Sequence, residues 1–226
     1  MVKIFIDPGH GGSDPGAVAN GLKEKDLTLN LAQKIARMLE EYVDVQVKLS
    51  RESDVTLPLS HRTAKANNWG ADFLLSIHVN AGGGTGFESY IYDGKVSNQT
   101  IQAQNEIHAS VMNAIAKYGV RDRGKKRKNL HMVRESKMPA LLTETLFIDS
   151  PADVALLKRE DFLNDVARGH VEGLARTFKL VKKVPLKKAK TYRLKTGTFS
   201  NRADAEAAKK KIEDTFGYIV YIVDGD

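Results

Sequence analysis

The sequence predicts an α/β protein with a mixed, mostly parallel central sheet flanked by helices. Over about 180 residues, short apolar runs alternate with segments whose apolar residues recur every three to four positions, as in strands alternating with helices. Residues 73–79 are apolar almost throughout, which is typical of a central strand covered on both faces. With 42% hydrophobic residues among 226, the chain can bury a core of this kind.

The elements before this central strand follow from local patterns. Residues 3–6 form a first strand, which Asp-Pro-Gly at 7–9 ends. A helix capped by Asp26 follows a glycine-rich loop, since the apolar residues after it keep a 3.6-residue period. Strict alternation over 43–49 indicates a half-buried strand, and a polar helical pattern occupies 59–69.

The elements after the central strand complete the layered domain. Residues 87–92 read as a strand, and 98–118 as a long helix that a glycine ends. Residues 141–147 are apolar enough for a last buried strand. Helices over 151–158 and 161–178 are expected to close the domain.

The composition changes at Lys182 and divides the chain. We predict a large layered domain over 1–180, a basic linker over 181–190 and a small C-terminal segment over 191–226. The linker is predicted because seven basic residues and no acidic residue lie between Lys182 and Lys195. Up to residue 180 there are 24 basic and 22 acidic residues, and beyond it 11 and 6, so the tail carries most of the net charge of +7.

The C-terminal segment is predicted to be a small β-α-β unit. Strand-like patterns over 192–199 and 218–223 flank a helical pattern over 203–216. A unit of about 35 residues buries little core alone. We therefore expect it to pack on the large domain, to belong to a larger module, or to pair with a second copy. The protein is accordingly expected to be a monomer or a weak dimer.

Composition narrows the chemistry and the partners. The chain has no cysteine, which excludes disulfides, thiolate metal sites and cysteine nucleophiles and leaves histidine and carboxylates as strong metal ligands. The charge of +7 and a pI near 9.4 indicate an anionic partner, such as nucleic acid, an acidic membrane or a wall polymer. No nucleic-acid-binding motif and no apolar stretch of roughly 20 residues is present. We expect neither nucleic-acid binding nor membrane insertion.

Three of the predicted strands end in side chains of metal-binding or acid–base type. His10 follows the first strand, His78 lies in the central strand, and Glu144 lies in the last one. Glu24, before the first helix, can reach the same rim, where the carboxyl ends of parallel strands converge. Two imidazoles and one carboxylate can hold Zn²⁺ with a position left for water, while an unligated carboxylate takes that water's proton. This combination suffices for metal-assisted amide hydrolysis.

A series of motifs runs in order from residue 2 to about 178. It consists of Asp7-Pro8-Gly9-His10-Gly11-Gly12, Gly21-Leu22-Lys23-Glu24-Lys25-Asp26-Leu27, Ser50-Arg51, Arg62, Ala66-Asn67, Ser76-Ile77-His78-Val79-Asn80-Ala81, Met138-Pro139-Ala140 and Glu144. The series closely resembles the zinc-dependent N-acetylmuramoyl-L-alanine amidases, the type-3 amidases of bacterial autolysins and phage endolysins. The resemblance implies Zn²⁺ held by His10, Glu24 and His78, with Glu144 as the catalytic carboxylate.

This resemblance implies hydrolysis of the amide bond between N-acetylmuramic acid and L-alanine in peptidoglycan, the cell-wall partner. The alternatives are a non-catalytic peptidoglycan-binding or regulatory relative, and an endopeptidase that cuts within the peptides of the wall. The amino terminus lacks the pattern of a secretory signal, so we expect the chain to be made in the cytoplasm. It would then act on the wall after release by a phage holin or by lysis of a sporulating mother cell.

The tail also resembles the first half of a SPOR-type peptidoglycan-binding repeat. The resemblance lies in Tyr192-Arg193-Leu194-Lys195-Thr196-Gly197-Thr198-Phe199-Ser200-Asn201 and in the alanine-rich helical pattern that follows. It implies binding of this segment to the cell wall. The alternative is an appendage that only stabilises the protein.

The remaining polar candidates have structural explanations. Two histidines lie on apolar helix faces and are expected at the edge of the core, namely His108 and His170. His131 falls in a strand-like run that could reach the metal site. The basic cluster 121–128 is expected to be a solvated loop, or else a clamp on stem-peptide carboxylates or wall phosphates. Arg51 and Arg62 are expected to hold loops.

Overall fold

A six-stranded sheet organises the first of two units into which the chain divides, Met1–Val184 and Pro185–Asp226. The structure is a computed structural model that describes residues 1–183 and 197–223. The elements of the first unit are, in chain order, β1 (Val2–Pro8), β2 (Val18–Ala19), β3 (Leu22–Lys23), α1 (Glu24–Leu39), β4 (Val45–Leu49), α2 (Leu59–Trp69), β5 (Phe73–Asn80), β6 (Phe87–Ile91), α3 (Asn98–Ile115) with a 3-10 turn (Ala116–Tyr118), β7 (Asp122–Arg127), α4 (His131–Arg134), β8 (Ala140–Phe147), α5 (Pro151–Leu157) and α6 (Glu160–Phe178).

The sheet has the strand order β4-β1-β5-β8-β6-β7. All neighbouring strands run parallel except β6 and β8, which are antiparallel. The predicted mixed, mostly parallel sheet is therefore confirmed. The central strands β5 and β8 are buried along almost their whole length, which explains why their sequences are apolar on both faces.

Helices cover both faces of this sheet. Alternate residues of β1 point to opposite sides, so Ile4 and Ile6 join the larger core with α1, α3 and α6. Phe5 joins a smaller core on the other face, where Ala66 of α2 and Met132 of α4 pack. None of the helices in the described ranges is both long and apolar enough to cross a membrane.

The basic cluster 121–128 is a strand over most of its length, and the prediction of a loop was wrong. Asp122–Arg127 forms β7, which pairs with β6 at the edge of the sheet. The apolar signal was missing because one side of an edge strand has no neighbour, and charged residues there keep other chains from pairing with it. His131 likewise begins the short helix α4 rather than lying in a strand.

The second unit contains one helix, α7 (Arg202–Phe216), among its described residues. The predicted β-α-β arrangement is not observed there, because residues 218–223 form no strand. A strand requires a hydrogen-bonded neighbour, and the described part of this unit supplies none. Most of the other predicted strand, 192–196, and most of the predicted linker, 184–190, lie outside the described residues.

Two glycines allow α3 and α6 to pack closely. A Cβ atom on Gly173 would lie 2.4 Å from Ile107 Cα, and one on Gly169 would lie 2.6 Å from Val111 Cα. Both distances are far below van der Waals contact, and in each case the opposing atom belongs to the backbone of α3. Any larger side chain at these positions therefore has to move the helices apart.

We expect Gly173→Ala to lower the free energy of unfolding by about 1–3 kcal/mol, the usual effect of overpacking a core. Arg176→Ala, at an exposed position of the same helix, is the control and should change stability by less than about 0.5 kcal/mol. Urea unfolding followed by circular dichroism measures both. Equal stabilities of the two variants would contradict the close packing of α3 and α6.

Candidate metal centre

Three side chains from separate parts of the chain meet at the end of the sheet where the parallel strands have their carboxyl ends. His10 follows β1, His78 lies near the end of β5, and Glu24 is the first residue of α1. One ligand atom of each lies within 4.8 Å of the others. Because β1 and β5 are parallel neighbours, their carboxyl ends meet at this end of the sheet.

Glu24 lies between the two imidazoles. One oxygen, Oε2, is 3.1 Å from His10 Nε2, and the other, Oε1, is 2.9 Å from His78 Nδ1. The backbone N–H groups of Ala17 and Val79 also donate to this carboxylate, at 3.0 and 3.1 Å. The helix begins three residues earlier than predicted, with its N-cap at Lys23 instead of Asp26, which puts Glu24 in its first turn, where a negative charge is favoured.

Two glycines make room for these ligands. A Cβ atom on Gly9 would lie 2.3 Å from Cε1 of His78. One on Gly16 would lie 2.7 Å from Glu24 Oε2 and equally close to the ring of His10. The glycines of this loop are therefore required by the close approach of the ligand side chains.

Two buried arginines hold the backbone of the loop that carries His10, as predicted for Arg51 and Arg62. Arg62 donates to the carbonyl oxygens of Pro8 at 2.6 Å and of His10 at 2.5 Å. Arg51 donates to those of Pro8 at 3.1 Å and Gly9 at 2.9 Å. His10 has a φ of 61°, which is unfavourable for a residue with a side chain, so these hydrogen bonds stabilise a strained conformation.

Asp14 orients His10, a role that the sequence reasoning missed. Its Oδ2 atom lies 2.9 Å from His10 Nδ1. When Nδ1 donates to this carboxylate, Nε2 is the ring nitrogen that faces Glu24 and remains available to a metal. The spacing of four residues from His10 within the same loop is the signal that could have identified Asp14.

Hydrogen bonds between these groups shift their pKa values. Burial disfavours the charged form of His10, but Glu24 and Asp14 outweigh it and raise the pKa of His10 to about 9. Burial also opposes a charge on His78, yet its pKa is raised by Glu24. The pKa of Glu24 lies below its ordinary value, since its bonds to both imidazoles overcome the effect of burial. The protonated imidazoles of His10 and His78 therefore supply positive charge beside Glu24. A bound cation would supply this charge in place of the protons.

Glu144 lies beside this group on β8. It is the direct neighbour of His78 on β5 and of Glu88 on β6. Its Oε2 atom is buried and has no hydrogen-bond partner among the described residues. Burial, together with repulsion from Glu24 and Glu88, raises the pKa of Glu144 to about 7, against the attraction of His78. A half-buried carboxylate with one buried, unpartnered oxygen is suited to exchanging a proton near neutral pH.

The other histidines have different surroundings. His108 Nδ1 lies 2.9 Å from Ser89 Oγ, and His170 Nε2 lies 3.1 Å from Thr143 Oγ1. Both imidazoles are buried between the sheet and its helices, deeper than the predicted position at the edge of the core. His131 Nε2 is 3.3 Å from Thr63 Oγ1, and within the part of the chain that the structure describes it hydrogen-bonds no residue of the centre.

Comparisons with known proteins place this chain in a family. The family model described as N-acetylmuramoyl-L-alanine amidase matches residues 4–176. The sporulation-specific N-acetylmuramoyl-L-alanine amidase of Bacillus subtilis (strain 168) is 51% identical over 214 residues, covering 94% of this chain and 81% of that protein. The endolysin of Bacillus phage SPP1 is 48% identical over 182 residues, covering 80% and 67%. The solved catalytic domain of CwlV, an N-acetylmuramoyl-L-alanine amidase from Bacillus (Paenibacillus) polymyxa, matches with a TM-score of 0.74 and 32% identity, covering 80% of this chain and all of that one.

We expect a divalent cation to displace a proton when it binds at His10, Glu24 and His78. A ligand must be deprotonated, and the pKa of His10 is about 9, so affinity should rise as the pH rises toward that value. Titration calorimetry at pH 8 in two buffers of different ionisation enthalpy measures the protons released.

Asp14→Asn removes one of the carboxylates that raise the pKa of His10 and should reduce this release. Asp161→Asn, which changes an exposed carboxylate paired with Arg159, is the control and should leave it unchanged. Heats of binding that are the same in both buffers would contradict the coupling.

Proposed function

Because the chain belongs to the N-acetylmuramoyl-L-alanine amidase family, we propose that its peptidoglycan amidase reaction depends on Zn²⁺ held by His10, Glu24 and His78, with Glu144 as general base. One observation carries the proposal. The three ligand atoms lie within 4.8 Å of one another, and the carboxylate of Glu144 beside them has one buried oxygen without a hydrogen-bond partner among the described residues. The enzymes of this family are metal-dependent hydrolases.

The donor set supports zinc as the metal. Two imidazole nitrogens and one carboxylate oxygen are a ligand set of zinc hydrolases, which leaves a position for water or substrate. Positions 9 and 16 carry no side chain, so the ligand side chains can lie close to the backbone there. The backbone at these two glycines thus forms a cradle for the ligands. Bound there, zinc would act as a Lewis acid toward the scissile carbonyl and lower the pKa of a water molecule toward ~7.

Glu144 is the proposed proton carrier. Its unpartnered oxygen can accept the proton of the attacking water and then deliver it to the leaving nitrogen of L-alanine. A pKa of about 7 suits both steps, because the group has to gain and lose the proton in each turnover. This oxygen is itself buried, which limits competition from bulk water.

Asp14, Arg51 and Arg62 act through His10 in this proposal. Asp14 selects the ring nitrogen that faces the centre, and the arginines hold the strained loop. Hydrogen bonds of this kind place a ligand before the metal arrives. Less of the binding free energy is then needed to order the site.

We also propose that the catalytic domain acts on the wall with the help of the C-terminal segment. The excess of basic residues beyond residue 180 supports attraction to an anionic wall, an effect that salt should weaken. Two relatives, an endolysin and a sporulation-specific amidase, support action after release by a phage holin or by lysis of the producing cell. Whether this segment binds the wall can be tested by sedimentation with purified walls at low and high salt.

Glu144→Gln is expected to retain zinc and to lose hydrolysis by about 100-fold or more, since the amide cannot accept the proton. His10→Ala should lose both the metal and the activity. Metal content and the release of L-alanine amino termini from peptidoglycan measure the two properties. Glu135→Gln, which changes an exposed carboxylate on the surface, is the matched control. Turnover retained by Glu144→Gln would contradict its assignment as the base.

Fragment analysis of digested walls tests the function itself. We expect the wild-type chain to release stem peptides that begin with L-alanine and to leave muramic acid with a free lactyl carboxylate. A chelator should stop the reaction and Zn²⁺ should restore it. Cuts inside the peptides would instead indicate an endopeptidase. Wall binding without new amino termini would indicate a non-catalytic relative.

A further inference from the structure

Two basic side chains of the edge strand lie on the same face of the sheet as Glu144. Glu88 on β6 is the direct neighbour of Glu144 and is only 1% exposed. Its Oε2 atom accepts hydrogen bonds from Arg123 Nε, at 2.7 Å, and from Lys126 Nζ. Its Oε1 atom accepts from two neutral groups, Asn80 Nδ2 at 2.6 Å and Tyr90 OH at 2.7 Å. We call Arg123 and Lys126 the cation pair.

A bulge at Gly124 turns both members of the cation pair to this face. In a regular strand, residues three positions apart point to opposite sides. Here the register with β6 shifts, so that residues 87–89 lie opposite 122–125. β7 thus has one more residue than β6 in this stretch. Gly124 lies there with a φ of 86°, a conformation that favours glycine. Local backbone geometry thus places two cations beside a single carboxylate.

Two other charged residues of β7 face the opposite side. Asp122 Oδ1 lies 2.9 Å from His108 Nε2, and Lys125 Nζ donates to Asn105 Oδ1 at 2.7 Å. Both partners belong to α3, which packs on the other face of the sheet. The cation pair is therefore separated from these charges by the sheet itself.

Glu88 neutralises only one of the two charges. The cluster keeps a net positive charge, and the side chains of Arg123 and Lys126 are 26% and 35% exposed. The guanidinium of Arg123 also lies over the ring of Phe147, 4.7 Å from its centroid, which limits its orientation. The N–H groups of Arg123 and Lys126 that do not bond Glu88 are held on the same face of the sheet as Glu144, where they can bind an anion.

We propose that the cation pair binds a free carboxylate of the stem peptide and so positions the substrate; this inference rests on the proposed function. Neighbouring strands are about 4.8 Å apart, so β7, two strands away from β8, lies about 10 Å from Glu144. The side chains of Arg123 and Lys126 reach back from β7 to Glu88. An extended peptide advances about 3.3 Å per residue. The bound carboxylate then belongs to the second or third residue after the cleaved amide. Glu88 is a positioning residue that holds the pair.

The wild-type enzyme tests this with two forms of a soluble muramoyl-peptide that contains no phosphate. One form has free stem carboxylates, and in the other they are amidated. We expect KM to be about tenfold or more lower for the free form, as for one charge-assisted contact, with kcat within about threefold. A purely structural ion cluster would not distinguish the two forms.

Variants locate the effect. Lys126→Met and Arg123→Met should raise KM for the free form toward that of the amidated form and leave the amidated form unaffected. Lys125→Met, on the opposite face of the same strand, should change neither value. The triple variant Glu88→Gln/Arg123→Met/Lys126→Met removes both cations together with the carboxylate that they neutralise, and should show the same loss of discrimination if the single variants fail to fold.

The outcomes separate this inference from the proposed function. Equal KM values for both forms with the wild-type enzyme would overturn the inference and leave the amidase activity standing. Cleavage of neither form would overturn the proposed function and the inference with it. An effect of the variants on walls that carry phosphate polymers, with none on the soluble peptide, would assign the pair to wall phosphate and overturn the stem-peptide assignment.

Discussion

The site depends on one buried carboxylate, Glu24, which joins three separate parts of the chain. A buried charge is unfavourable unless it is paired and hydrogen-bonded. Glu24 is 4% exposed and meets this requirement through His10, His78 and the N–H groups of Ala17 and Val79. The contacts that satisfy this charge are also those that bring the ligand atoms together, so folding and assembly of the centre are the same event.

Around this carboxylate, ion pairs hold other charged side chains in position. Asp7 on β1 pairs with Arg62 of α2 at 2.9 Å, and both side chains are buried. The same arginine holds the carbonyl oxygen of His10, so the ion pair connects the sheet to the strained loop. On the far side of Glu144, Glu88 has the corresponding role for the cation pair. Glu144 itself lies between these two networks with an unpartnered oxygen, which leaves it available to the substrate.

The parts of this arrangement that depend on apolar patterning could be predicted from the sequence. The buried runs of β1, β5 and β8 are strong signals, and parallel strands end at one edge, which is enough to expect His10, His78 and Glu144 near one another. The edge strand β7 escaped prediction because its stability comes from backbone hydrogen bonds to β6 and not from an apolar face. Glu88 escaped because its contacts depend on strand register, which local sequence patterns do not encode. Asp14 escaped because its four-residue spacing from His10 indicates a contact only in a loop of this geometry.

The measurement that tests this account most directly is anomalous diffraction at the zinc edge from crystals of the full chain grown with Zn²⁺. We expect one strong zinc peak with His10 and His78 nitrogens and a Glu24 oxygen at about 2.0–2.2 Å. Glu144 should lie close by without coordinating the metal. A zinc peak elsewhere, or a carboxylate oxygen of Glu144 among the ligands, would contradict both the metal centre and the assignment of the base.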